Sequence, residues 1–340
     1  MRIGIVNDLP IAVESLCHVL RQPARHEVAW IARDGREAVS MCAASKPELI
    51  LMDLDMPGMD GVAATRQIMK ATPCPILVVT ASVGSSSARV FEALGAGAMD
   101  AVNTPVIGAT EAAYGPAAFL QKLDMIRRLT ETVRREPVAN SVVSAVALAK
   151  RAPERLIVIG SSAGGPTALA AILNRLPPAL PAAIVIVQHL DENFAPGFAD
   201  WLNRTSAFPV RLAQEGDRPM KGAVLVAGKS DHLVFVNRDT LGYVSEPREC
   251  LYRPSVDVFF DSVVRHWDGE VVGVLLTGMG RDGARGLKAL RDAGHFTLAQ
   301  DQATSAVYGM PKAAASLDAA SLIVALGNIA PTLTSQFKAA

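Results

Sequence analysis

The chain has 340 residues, half of them hydrophobic and 19% charged, enough for two domains that each bury a sizeable core. Lys plus Arg and Asp plus Glu balance at 33 each, so net charge gives no reason to expect nucleic acid or an anionic membrane surface as a main partner. The cysteines Cys17, Cys42, Cys74 and Cys250 lack metal-ligand spacing and read as reduced structural thiols of a cytoplasmic protein. The opening MRIGIVND carries Asp8 and is expected to hold no secretory apolar segment. The longest apolar runs, 182–187 and 271–276, are too short for direct membrane insertion.

Short apolar runs at 3–6, 28–31, 49–52, 76–79 and 98–102 alternate with amphipathic stretches at 12–20, 37–44, 62–69 and 88–94. Strands alternating with helices predict a parallel sheet with right-handed crossovers. A helix follows at 117–133, and 124–153 reads as a helical or flexible linker. The first domain is therefore placed at 1–123 and the second at 154–340. In the second, strands are expected at 156–159, 182–188, 271–277 and 296–299. Helices are expected at 166–173, 195–203, 255–266, 284–293 and 305–316. Residues 223–245 read as two or three antiparallel strands with a turn at 237–240.

Asp8 and Asp53 end the first and third strands of the first domain. In a flavodoxin-like order 2-1-3-4-5 those strands are neighbours, and both acids face one crevice. Paired carboxylates repel unless a cation lies between them, and hard oxygen ligands suit Mg²⁺. Thr80 ends the fourth strand, where its hydroxyl can meet a phosphoryl oxygen.

The run LILMDLDMPGMDG (49–61) resembles the phosphoacceptor loop of response-regulator receiver domains. The resemblance implies Asp53 as the phosphorylated residue, Thr80 as the switch hydroxyl and Asp8 as one of the family's acidic pair, with Mg²⁺ needed for phosphorylation. Two positions depart. Asn7 stands where the pair has its other acid, which leaves an oxygen able to hold a metal ion through a water. Thr104, in NTP, stands where the family has the lysine that conveys activation.

In the second domain, LIVIGSSAGG (156–165) fits G-x-S-x-G between a strand and a helix, the setting in which a sharp turn exposes a nucleophile, here Ser162. A Gly/Ser loop before a helix can equally cradle a phosphate, but this one lacks the Walker lysine and the G-x-G-x-x-G pattern. His189 closes the next strand on the same sheet edge and is the candidate base. For His18, His26, His232, His266 and His295 a surface or capping role is expected. Asp282, in GMGRDGARG, is the first candidate for the orienting acid, although Asp before a helix also serves as an N-cap. Asp301 ranks second.

Together IGSSAGG, VQHL, RPSVDVFFDSV, LLTGMGRDGARGL and SAVYGMPKAA resemble the methylesterase domain of CheB-type chemotaxis proteins. That resemblance implies a doubly wound α/β hydrolase-like domain with an antiparallel hairpin. It implies a catalytic triad of Ser162, His189 and Asp282, with the Met279 backbone N–H in the oxyanion hole. Ala163 stands where the family often has threonine. The implied activity is demethylation of glutamyl methyl esters, and deamidation of glutamines, on methyl-accepting chemotaxis-type receptors. A histidine kinase of the CheA type would supply the phosphoryl group to the receiver. The hydrolase site itself is expected to need no cofactor. The start MRIGIVND, Asn7 and Thr104 resemble the Wsp-type subfamily, whose implied output is a diguanylate cyclase. Two other readings stay open: a catalytically silent adaptor that acts by binding, and a small-molecule esterase under receiver control.

Overall fold

A computed structural model describes residues 1–21, 26–80, 87–105, 116–132 and 155–337. The chain divides into two compact units, Met1–Thr130 and Glu131–Ala340.

The first unit is built on β1 (Arg2–Val6), β2 (Glu27–Ala32), β3 (Leu49–Met52), β4 (Ile76–Thr80) and β5 (Asp100–Asn103). They form a parallel sheet in the order β2-β1-β3-β4-β5. Buried aliphatic side chains fill β1, β3 and β4, as a parallel sheet covered on both faces requires. Helices α1 (Pro10–Leu20), α2 (Gly35–Ala44), α3 (Gly61–Ala71), α4 (Ser87–Gly95) and α5 (Pro116–Thr132) complete the unit. Capping sets two of their starts. Asp34 accepts the Arg36 and Glu37 N–H groups at α2, and Asp60 accepts that of Ala63 at α3. α5 runs on past residue 123, and most of the expected linker lies outside the described residues.

The second unit centres on a seven-stranded sheet in the order β14-β13-β12-β6-β7-β9-β8, with every pairing parallel. Its strands are β6 (Arg155–Ser161), β7 (Ala183–Gln188), β8 (Val210–Leu212), β9 (Val224–Val226), β12 (Glu270–Leu275), β13 (Phe296–Gln300) and β14 (Leu322–Val324). Its helices are α6 (Gly165–Leu173), α7 (Ala195–Thr205), α8 (Val256–His266), α9 (Ala284–Asp292), α10 (Met310–Ser316) and α11 (Leu326–Gln336). β10 (His232–Phe235) and β11 (Leu241–Val244) form the antiparallel hairpin.

From β6 the chain adds strands first on the β7 side and later on the β12 side. The topological switch point therefore lies between β6 and β12, where such sheets open a crevice at their carboxyl ends.

Two expectations need correction. Val224–Val226 lies within the antiparallel segment read from the sequence, yet it joins the main sheet in parallel with β7, because its apolar residues pack there on both faces. The helix expected at 305–316 starts only at Met310, behind Gly309 and with Pro311 in its first turn. Residues ahead of it are tied to the loop after β12 by Gly278 N–H to Val307 O, 3.0 Å.

Candidate functional site

In the second unit, β6 delivers Ser162, β7 delivers His189, and the loop after β12 delivers Asp282. His189 Nε2 lies 2.7 Å from Asp282 Oδ2. An ionised carboxylate only accepts, so Nε2 carries the proton and Nδ1 presents its lone pair. Nδ1 is buried and has no hydrogen-bond partner among the described residues.

Asp282 does not cap its own helix. Gly283, with φ 84°, precedes α9, while the Asp282 carboxylate sits at the N-terminus of α8. There Val256 N–H donates to Oδ2 at 2.7 Å, Asp257 N–H to Oδ1 at 3.1 Å and Ser255 Oγ to Oδ1 at 2.8 Å. Burial alone would push this carboxyl up. The His189 hydrogen bond, with the Ser255 and Val256 donors, overcomes burial and holds it below the ordinary carboxylate range.

Ser255 is fixed in turn by His232, whose Nδ1 accepts the Ser255 N–H at 3.0 Å and whose Nε2 lies 3.1 Å from Pro247 O. His232 is fully buried, so the surface role expected for it is corrected, and its bond to Ser255 falls at the N-cap of α8. Asp301, the second candidate acid, instead caps its own turn, accepting from Thr304 N–H at 3.0 Å.

The turn at Ser162 is held by two polar strand-end residues that sequence reasoning missed. Gln188 closes β7. Its side-chain amide donates to Ser162 O at 3.0 Å and accepts from Ser161 Oγ at 2.7 Å. A Cβ on Gly165 would lie 2.0 Å from Gln188 Oε1, so the close approach demands glycine. Thr277 follows β12. Its carbonyl accepts the Ser162 N–H at 3.1 Å, and its hydroxyl donates to Ala163 O at 2.9 Å. Their signal was available: each is a single polar residue closing an apolar run, in IVIVQ and VLLT.

Since the Ser162 N–H is already taken, an oxyanion needs other donors. Gly278 O accepts from Gly309 N–H and Met310 N–H, at 3.0 and 2.9 Å. In a trans peptide this turns the Met279 N–H away from residues 309 and 310. Gly278 itself lies against Ser162, since a Cβ there would come 2.8 Å from Ser162 Cβ. Met279 O accepts from Tyr252 Oη at 3.4 Å.

In the first unit, Asn7 and Asp53 are buried and adjacent. Asn7 Nδ2 donates to Asp53 Oδ2 at 3.0 Å, and Asn7 Oδ1 accepts from Leu9 N–H at 2.8 Å. Leu54 N–H donates to Asp53 Oδ1 at 2.7 Å. Burial pushes the Asp53 carboxyl up against the Leu54 and Asp55 donors, with the charges of Asp55 and Asp8 adding to the rise. Asp8 Oδ1 is buried without a hydrogen-bond partner among the described residues. An orphaned carboxylate oxygen beside a second carboxylate is what a hard divalent cation satisfies, so these residues fit Mg²⁺. Thr80 closes β4, buried, and its carbonyl accepts the Thr104 N–H at 2.9 Å.

Comparison with known proteins places both units. Residues 157–333 match the CheB methylesterase family, and residues 3–110 match the response regulator receiver domain. A Burkholderia thailandensis protein named protein-glutamate methylesterase/protein-glutamine glutaminase 4 is 56% identical over 98% of this chain and 97% of its own length. Protein-glutamate methylesterase/protein-glutamine glutaminase 3 of Pseudomonas aeruginosa is 50% identical over 99% of this chain and its whole length. The crystal structure of the Thermotoga maritima CheB methylesterase catalytic domain aligns with a TM-score of 0.52 at 31% identity, covering 54% of this chain and 98% of that one.

Proposed function

The chain belongs to the CheB methylesterase family and joins that domain to a response-regulator receiver, and from this premise we propose how its residues act. The activity is that of a protein-glutamate methylesterase/protein-glutamine glutaminase, regulated through the receiver. We assign Ser162 as nucleophile, His189 as base and Asp282 as the acid that orients it.

The observation that carries this assignment is the His189–Asp282 pair, 2.7 Å apart, at the switch point where Ser162 leaves β6. His189 Nδ1 takes the Ser162 Oγ proton as Oγ attacks the γ-carbonyl of a glutamyl methyl ester. The Met279 N–H donates to the developing oxyanion, and the loop at Ala163 borders it. The imidazolium returns its proton to the methoxy oxygen and methanol leaves. Water, deprotonated by His189, then hydrolyses the acyl-enzyme and restores glutamate. A glutamine amide passes through the same tetrahedral intermediate, with ammonia leaving.

In the receiver, Asp8 and Asp53 would hold Mg²⁺, with Asn7 reaching it through a water. When bound, Mg²⁺ would supply positive charge that offsets the negative charge of the incoming phosphoryl group. Asp53 accepts the phosphoryl group, and Thr80, with Thr104 beside it, senses it. The substrate is a methyl-accepting receptor, and the phosphodonor a histidine kinase of the CheA type. Among the described residues no helix is long and apolar enough to cross a membrane. We place the protein in the cytoplasm, with the hydrolase starting near residue 154. Asn7 and Thr104 are the features that favour Wsp-type output.

Methanol release from methylated receptor tests the assignment. Ser162→Ala should lower turnover by about 10⁴–10⁶ without loss of fold; near-wild-type release would reject the serine mechanism. A wild-type protein that releases no methanol is an adaptor. One that prefers a generic short-chain ester to the receptor is a small-molecule esterase.

A further inference from the structure

Tyr252 belongs to none of the three triad positions, yet it touches the site from two sides. Its ring stacks on His189 with centroids 3.7 Å apart and planes 9° from parallel. Its hydroxyl donates to Met279 O at 3.4 Å. It is also three residues ahead of Ser255, which begins the helix end that holds Asp282. Only 8% of Tyr252 is exposed. One side chain therefore joins the base to the loop that carries the oxyanion donor.

We propose that Tyr252 is a positioning residue that acts on both. Its ring covers one face of the imidazole and fixes the rotation that aims Nε2 at Asp282 and leaves Nδ1 for Ser162. The same face attracts imidazolium more than neutral imidazole, because the negative face of an aromatic ring favours a cation. That attraction grows as His189 takes the proton, so it lowers the barrier rather than strengthening substrate binding. The hydroxyl restrains the Met279–Gly280 peptide, next to the one that presents the Met279 N–H. Tyr252 itself exchanges no proton with the substrate.

This inference rests on the serine-hydrolase assignment, so Ser162→Ala is measured beside it on the full chain with methylated receptor. Tyr252→Phe keeps the stack and loses the hydroxyl. It should lower kcat by about 2- to 10-fold, the worth of one hydrogen bond, with KM unchanged. Tyr252→Leu loses the stack as well and should lower kcat by about 30-fold or more, again with KM unchanged. Melting temperatures check that both variants fold, and Tyr252→Met replaces the leucine variant if that one does not. Partial recovery of kcat by Phe over Leu or Met is the signature of the ring acting on the base. Equal kcat for Phe and the aliphatic variant overturns the proposal, as does a rise in KM with kcat intact, which would make Tyr252 a substrate contact. A fully active Ser162→Ala would instead remove the assignment on which it stands.

Discussion

At the scale of single residues, the acid is the position where sequence left a choice. Asp282 and Asp301 both follow strands, but only Asp282 reaches His189, while Asp301 holds the turn at Thr304. Asp282→Asn places an amide where a carboxylate now accepts four hydrogen bonds, from His189, Ser255, Val256 and Asp257. An asparagine side chain also lets the imidazole take the wrong tautomer, an effect of about 10⁴ in a serine protease. Methanol release should therefore fall by several orders of magnitude for Asp282→Asn and only mildly for Asp301→Asn. The opposite ranking would show Asp301 to be the acid.

At the scale of elements, the N-terminus of α8 is an anion site. Its free N–H groups and dipole favour a negative charge, and Asp282 supplies one from another loop. Asp257, in the first turn of the same helix, places a second buried carboxylate there. Gly286 N–H donates to it at 2.8 Å and Arg285 Nε at 3.1 Å, which ties α8 to α9. Burial first, and then the Asp282 charge, push the Asp257 carboxyl up to about 6 from 3.8. Between those pH values the folded protein holds a proton that the unfolded chain has lost. Stability from this residue therefore declines as pH rises through the window. Asp257→Asn removes the titration. Melting temperatures measured from pH 4 to 7 should show wild type losing ground to the variant as pH rises to about 6, whatever the constant offset between them. A pH-independent difference would mean that Asp257 stays ionised throughout.

At the scale of the whole molecule, control runs from the receiver to the hydrolase, and the receiver departs from its family at Asn7 and Thr104. Asn7 does more than remove a charge, because its amide binds Oδ2 of Asp53, the residue proposed to accept the phosphoryl group. Asn7→Asp with Thr104→Lys replaces that donor by a carboxylate and restores a cation. The double variant should bind Mg²⁺ more tightly and label Asp53 faster with a small phosphodonor. It should also show a larger rise in methanol release on phosphorylation. No gain in any of the three measurements would make both departures neutral.

Much of this protein is legible in its linear pattern. Five alternations of apolar run and amphipathic stretch predict the receiver sheet, and strand-end residues mark Asp53, Ser162 and His189, because a strand's length and period are local properties. Whether Val224–Val226 lies parallel in the main sheet or antiparallel in a hairpin is not local; distant strands decide it. The same holds for His232, whose burial follows from the packing of the hairpin against α8. Gln188 and Thr277 are visible as polar residues but not as supports, since their partners lie across the sheet edge. Asp282 is the sharpest case. Sequence places it just ahead of its own helix, and only tertiary structure brings it to the start of another. A helix N-terminus binds whichever anion the fold carries to it, near or far in the chain.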